Sequence, residues 1–567
     1  MNAVEYFLNT TNPNRQYISF EVHLPVTSET TEIHLPRWRP GRYELGNFAK
    51  NVRDFSIIDK EGKTLSFSKI NKDTWKVETS NLDKIIVNYN YYAAELNAGS
   101  TYLDSELLYV NPVNCFIFSE SSKHLTVNVH LPKIENSILA TGAEKTTFGI
   151  QVANFDELAD SPFILSSHLQ ELKYTVEENL FSVWFYGIDF IPKERLIEDF
   201  KKFTTQQIKD FGSFPCKHFH FLNLILPYPA YHGVEHLTST VITLGPTYSV
   251  FDSLYPELLG VSSHELYHVW NVKTMRPETM VPYNFKSENY SKLGWIYEGI
   301  TTYLGDKYLY TSGVFNEEQY LLELTQQLQK HFDNSGRLHY SVADSSFDTW
   351  LDGYVPGVPG RKVSIYTEGC LIAFILDAEI RKSSSGRRGI ENVMGDLFQQ
   401  IGNGISYTEK YIDALFRSEI GEKFDQIKLK LIEGNNDFLP FLKDALAYFN
   451  WKLELKTASN PVESHLGFKY SYRNGCAIIS SIWENSPGDQ VGLMIGDEIV
   501  RINGIKVNSD LEQWFSYFHR NQVSNFELEI NNLKGKSTLN ISWNQTYYFP
   551  KVVLTKSESI VEETALI

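Results

Sequence analysis

Two histidines four residues apart with a glutamate between them, His264, Glu265 and His268 in SSHELYHVWN, are the residues of this chain best placed to do chemistry together. On an α-helix, positions i and i+4 stand one above the other, so both imidazoles can reach one cation while the neighbouring carboxylate addresses water held on it. This spacing predicts a zinc site with its own general base. The stretch FDSLYPELLGVSSHELYHVW carries Leu254, Leu258, Leu259, Val261, Leu266, Val269 and Trp270, enough apolar positions for a helix buried over much of its circumference. Such a helix also allows two core histidines satisfied by backbone carbonyls. That alternative leaves Glu265 without a role.

Catalytic zinc keeps three protein ligands and an open position, so a third ligand should follow. Glu298, in LGWIYEGITTYLGDKYLY, is the candidate: Trp295, Ile296, Ile300 and Leu304 give helical apolar spacing, and a carboxylate facing a core must be paired or metal-bound. Asp306 is the weaker rival. His268 is followed by Val269, Trp270, Asn271 and Val272, which excludes the three-histidine pattern HExxHxxGxxH. Intrinsic affinity order alone would favour copper over zinc on such donors.

SHELYHVWNVKTMRPE followed by WIYEGITTYLGDKYLYTSGVF resembles the glycyl aminopeptidase family of zinc metallopeptidases, which have a thermolysin-like catalytic domain and a C-terminal PDZ domain. The similarity extends over nearly the whole chain: LPRWRPGRYELGNFAKNVRDF, YHGVEHLTST and IYTEGCLIAFILDAEIR occur in the expected order. The resemblance implies one zinc ion on His264, His268 and Glu298, with Glu265 as the general base. It also implies a substrate-binding strand with Gly233 and Glu235, where Glu235 holds the free ammonium of a peptide and so fixes cleavage one residue in from the N-terminus. Tyr366 matches the tyrosine that donates to the developing oxyanion, with Tyr303 as the competing tyrosine. His232 departs from the family's first glycine on that strand, and Glu368 stands where a lysine is usual. Preference for a small first residue, glycine or alanine, follows from the family's name. Two other classes stay open: a peptide-binding protein with weak or no catalysis, and a thermolysin-type endopeptidase.

The 567 residues are enough for three or four domains, and 42% hydrophobic with 14% aromatic content supplies ample cores. The 52 basic and 69 acidic residues leave a net charge of -17, which argues against a nucleic-acid partner. MNAVEYFLNTTNPNRQ lacks the basic start and apolar core of a secretory signal, and no apolar run approaches the roughly 18 residues of a membrane helix, so a cytoplasmic protein without a membrane partner is expected. Cys115, Cys216, Cys370 and Cys476 are scattered and read as reduced structural thiols.

The expected fold class is α+β multidomain. Strand-like runs such as ISFEVHLPV and KIIVNYNYY, broken by turn clusters, predict a β-rich domain over 1–165. A thermolysin-like catalytic domain over 166–325 takes strands from HFHFLNLILPYPAYHGVEH, and NEEQYLLELTQQLQKHF, GCLIAFILDAEIRK, IENVMGDLFQQIG and YIDALFRSEIG predict a helical lobe over 326–452. Residues 453–548 resemble a PDZ domain, with Asp497, the turn Asn503-Gly504 and a carboxylate-binding loop at Leu466, Gly467 and Phe468. A peptide C-terminus in that groove is the second partner expected beside peptides with a free N-terminus. Residues 549–567 read as a polar tail with an apolar end, Ile567, which could enter the same groove.

Overall fold

A computed structural model describes residues 3–355, 357–401, 406–543 and 545–557. The N-terminal region is β-rich, as its alternating pattern requires. In Tyr17–Pro25 the side chains of Ile18, Phe20, Val22 and Leu24 are buried while Ser19 and Glu21 face outward. This strand sits inside a seven-stranded sheet ordered 144–145, 149–152, 127–130, 4–9, 17–25, 84–92, 52–59. A three-stranded sheet and a four-stranded sheet complete the region.

The four-stranded sheet joins this region to the next. Leu107, Tyr109, Ala140 and Ile164 share a core with Trp184, Leu222, Leu224, Val234 and Val241 of a five-stranded sheet. That second sheet runs in the order 170–176, 179–186, 218–225, 239–245, 230–235. Its last strand, Ala230–Glu235, is antiparallel to Ser239–Gly245 and forms the edge.

The helical lobe forms where its periodicity placed it, as Glu317–Asp333, Ile365–Ser383, Ile390–Ile401 and Glu409–Ile420. Asn316 and Gln319 close a reciprocal capping box at the first of these. Two local differences fall on site residues. The histidine helix ends at Tyr267, leaving His268 as its cap residue with helical dihedrals, where the apolar pattern suggested continuation through Trp270. Glu298 lies in a π-helical turn, Trp295–Ile300, before the α-helix Thr301–Thr311. Such turns insert one residue and re-aim a side chain, which apolar spacing alone does not reveal.

The C-terminal module has its own core, built from Val462, Phe468, Ile479, Ile499, Leu511, Phe515, Leu528 and Ile541 among others. A six-stranded sheet carries the helix Leu511–Arg520. The tail expected from residue 549 is corrected for its first part: Lys551–Lys556 pairs antiparallel with Trp451–Lys456, so a two-stranded stem carries the module. Pairing across so long a separation leaves no local signature beyond alternation, which WKLELK shows and KVVLTK, with three apolar residues in a row, does not. The stem packs on the helix Glu317–Asp333, where Gln329 accepts from Val552 N at 2.9 Å and donates to Pro550 O at 2.9 Å. The rest of the expected tail, including Ile567, lies outside the described residues. Among the described residues, no helix is long and apolar enough to cross a membrane.

The π turn and the helix Ile365–Ser383 cross at two glycines. A Cβ on Gly369 would lie 2.6 Å from the Gly299 Cα and 2.9 Å from the Trp295 Cα, so only hydrogen fits there. Gly369→Ala should therefore destabilise the protein by about 1–3 kcal/mol, read as a lower urea midpoint in equilibrium unfolding.

Candidate active site and metal centre

His264 Nε2 and His268 Nε2 stand 3.0 Å apart, and Glu298 Oε2 lies 3.4 Å from His268 and 3.9 Å from His264. Donors about 2.0–2.1 Å from one tetrahedral cation would stand roughly 3.3–3.4 Å from each other, so the three sides bracket the required spacing. His268 and Glu298 are each 2% exposed, while the His264 side chain, at 20%, opens to the cleft. The Nδ1 of His268 hydrogen-bonds the Asn271 carbonyl at 2.8 Å, which leaves its Nε2 lone pair for an ion.

Close packing holds these donors in register. A Cβ on Gly305 would stand 3.1 Å from the His264 Cα, and Ser263 Oγ donates to the Gly305 carbonyl at 2.7 Å, locking the histidine helix to Thr301–Thr311. Asn271 works on both arms: its carbonyl receives His268, and its side chain donates to Ile296 O at 2.8 Å and Thr301 Oγ1 at 3.0 Å in the segment carrying Glu298.

The electrostatics of the site call for a cation. Glu235, Glu265 and Glu298 are all buried around His268, and Glu235, Glu265 and His268 also offer ligand atoms within 4.8 Å of one another. Burial pushes Glu265 up to about 8; His268 opposes the shift, and Glu235 and Glu298 add to it. Burial likewise raises Glu298, against its hydrogen bond from His268. Burial and His268 hold His264 well below its usual range, as a neutral ligand must be. Burial works against the His268 cation too, but the bond and charge of Glu298 carry it up to about 10. Glu235 Oε1 and Glu265 Oε2 are buried without a hydrogen-bond partner. Two imidazole nitrogens and a carboxylate, with uncompensated carboxylate oxygens beside them, fit a divalent ion of the zinc type.

These groups open on a cleft of about 670 Å³. Gly233 lines it on the edge strand, where a Cβ would come within 2.1 Å of Glu265 Oε1. Glu235, two residues on, faces the same side, as the strand period requires. Tyr366 is half-buried in the first turn of its helix and reaches both Glu298 and Tyr354. Tyr303 is instead committed elsewhere, donating to Asp377 Oδ2 at 2.6 Å. Asp306 lines the cleft wall but is not among the clustered donors. Glu368 is buried against His331 at 2.8 Å.

Leu466, Gly467 and Phe468 are not part of this cleft. They lie in the C-terminal module, where Gly467 N–H donates to Val462 O at 3.1 Å and the flanking residues are fully buried. The Tyr470 hydroxyl donates to Glu512 at 3.0 Å and Leu511 N donates to Tyr472 at 2.8 Å, bridging the first strand of that sheet to the helix Leu511–Arg520.

Related enzymes place such an N-terminal domain beside the cleft, but sequence reasoning identified none of its residues that meet the site. Gly41, at φ +81°, packs on Glu235 so tightly that a Cβ would stand 2.2 Å from its Oε2. The buried Arg39 guanidinium donates to His232 Nε2 at 3.0 Å, and burial together with Arg39 pushes His232 down to about 3. His232, the departure on the edge strand, is thus the neutral acceptor for a buried cation. The only signal was the block RPGRYELG, whose register against the distant strand is not written in it.

Residues 5–167 match the Peptidase M61 N-terminal domain and residues 257–372 match the M61 glycyl aminopeptidase domain. No curated protein matches the chain. Among solved structures, an aminopeptidase N family protein from Idiomarina loihiensis shares the fold with a TM-score of 0.89 at 23% identity, over 98% of each chain. An M1 zinc metallopeptidase from Deinococcus radiodurans aligns with a TM-score of 0.45 at 13% identity, over 77% of this chain and 94% of its own. Both matched stretches are peptidase domain types, an M61 N-terminal domain and an M61 glycyl aminopeptidase domain, and the second of them contains His264, Glu265, His268, Glu298 and Tyr366.

Proposed function

We propose that the protein is a zinc-dependent aminopeptidase that removes the first residue from peptides with a free N-terminus. The observation that carries this reading is the buried, unpartnered Glu235 Oε1 beside the three-donor cluster. A substrate ammonium would complete that carboxylate, whereas a blocked N-terminus would leave it unpaired in a dry wall. Preference for glycine or alanine belongs to the proposal and rests on the family's description.

His264, His268 and Glu298 would hold the ion. Zinc, when bound there, supplies Lewis acidity and a water of lowered pKa. Glu265, buried at the open side of the cluster, takes a proton from the attacking water and returns it to the leaving amine. Gly233 makes room for its carboxylate against the edge strand. Tyr366 donates to the oxygen that gathers charge, which it can do because burial keeps its hydroxyl protonated. Glu235 anchors the amino end so that the first carbonyl meets these groups in register.

The C-terminal module we read as a PDZ-type domain. Its groove is bridged by Tyr470 and Tyr472, and its stem is docked on the helix that lines the cleft, which favours a bracing role over capture of a peptide C-terminus.

Three outcomes test the reading. Glu265→Gln should keep its zinc, measured by elemental analysis, while turnover of aminoacyl anilides falls about 100- to 10,000-fold; zinc loss in that variant, or unchanged turnover, contradicts the assignment. N-acetylated peptides should be cleaved far more slowly than free ones, and Glu235→Gln should lower kcat/KM for free peptides about 10- to 100-fold. Equal rates on free and acetylated substrates would make the enzyme an endopeptidase. Gly233→Ala, which drives a methyl group into Glu265 Oε1, should lower kcat with zinc content intact.

A further inference from the structure

We propose that Asp160 is a positioning residue that sets the distance between the amino-binding carboxylate and the metal ligands; the inference rests on the role given above to Glu235. Asp160 follows the short helix Phe155–Ala159 at the end of the N-terminal region. Its carboxylate takes three partners drawn from two separate parts of the active site. Oδ1 lies 3.0 Å from His236 Nδ1 and 2.6 Å from Lys273 Nζ, and Oδ2 accepts from Leu237 N at 2.9 Å.

Each partner is one step from a functional residue. His236 and Leu237 directly follow Glu235 where the edge strand turns. Lys273 N donates to the His268 carbonyl at 3.0 Å, so the lysine that grips Asp160 by its side chain is tied to a metal ligand by its backbone. The chain between them is strained: Val272, fully buried, has φ +149°, a region that L side chains rarely adopt and a β-branched one least of all. A loop in that conformation persists only when anchored at both sides. Asn271 holds one side through Ile296 and Thr301, and the Lys273–Asp160 pair holds the other.

The partners of Asp160 are largely shielded from solvent, although its own side chain is 19% exposed. The Lys273 side chain is 2% exposed, and His236 is 4% exposed with its Nε2 unpartnered. A buried ammonium paired with a half-buried carboxylate that has three directional partners holds position better than an exposed pair, and losing the carboxylate strands the ammonium. Ordinary hydrophobic packing could stabilise the junction, but it would not fix two backbone segments against a single carboxylate. Such a link matters for an exopeptidase because a shift of about 1 Å between anchor and reacting centre is enough to cost on the order of a hundredfold in rate.

The test uses the full-length enzyme loaded with zinc. Asp160→Asn removes the charge, and His236→Asn weakens the arm toward Glu235, where the Leu237 N–H bond remains, while keeping the Lys273 pair. Both are assayed on free and N-acetylated peptides beside Glu235→Gln, with zinc content and melting temperature recorded. The expected result is a rise of about ten- to a hundredfold in KM for free peptides and a collapse of the free-to-acetylated ratio, with zinc retained. His236→Asn should show this with kcat close to wild type, so it decides the matter if Asp160→Asn fails to fold. A lower melting temperature with KM and the ratio unchanged would reduce Asp160 to a structural role and overturn the inference. If Glu235→Gln itself leaves the ratio intact, the amino-binding assignment is what fails. If Glu235→Gln collapses the ratio and both other variants preserve it, the positioning role alone fails.

Discussion

Three buried carboxylates gathered around one imidazole are the constraint from which the rest of the site follows. Burial beside one another pushes Glu265 and Glu298 toward protonation unless something positive is shared between them. The geometry spaces two histidine nitrogens and Glu298 for an ion, and leaves one oxygen of each other carboxylate buried without a hydrogen-bond partner. The surrounding devices hold this arrangement in place: glycines at 233, 299, 305 and 369 allow backbones and carboxylates to approach as closely as they do, and Asn271 fixes one ligand to the turn that carries another.

Electrostatic demand and steric permission are thus separate contributions, made by different residue types. The acids and histidines determine what the cleft can bind. The glycines determine how near those groups can stand, and their effect is felt only through positions where a single methyl group would collide with a carboxylate oxygen or with another main chain.

The parts of the site legible in the sequence were those written within a few residues. His264, Glu265 and His268 follow from helical spacing, and Glu298 from its place as the acid among apolar helical positions; resemblance supplied Gly233, Glu235 and Tyr366 and set Tyr366 above Tyr303, whose hydroxyl the structure commits to Asp377. Helices in the lobe were legible because amphipathic period and caps are local properties. What escaped was whatever depends on contacts across the chain. Arg39 meets His232 at a separation of 193 residues, and Asp160 reaches Lys273 across 113. The stem of the C-terminal module was taken for a tail because its two strands recognise each other only after everything between them has folded. The π turn at Glu298 was invisible for another reason: it preserves the helical appearance of its sequence while changing where one residue points.

The glycine at position 41 has a consequence for how this protein divides. Its main chain forms a wall of the space occupied by Glu235, although Gly41 lies within the match to the N-terminal domain and Glu235 between the two matched stretches. A boundary that is clean on the linear map therefore cuts through the recess that holds Glu235. Excising the first 165 residues would strip one face from the recess around that carboxylate and flood it with solvent, so the modules can be exchanged between relatives only as a matched pair.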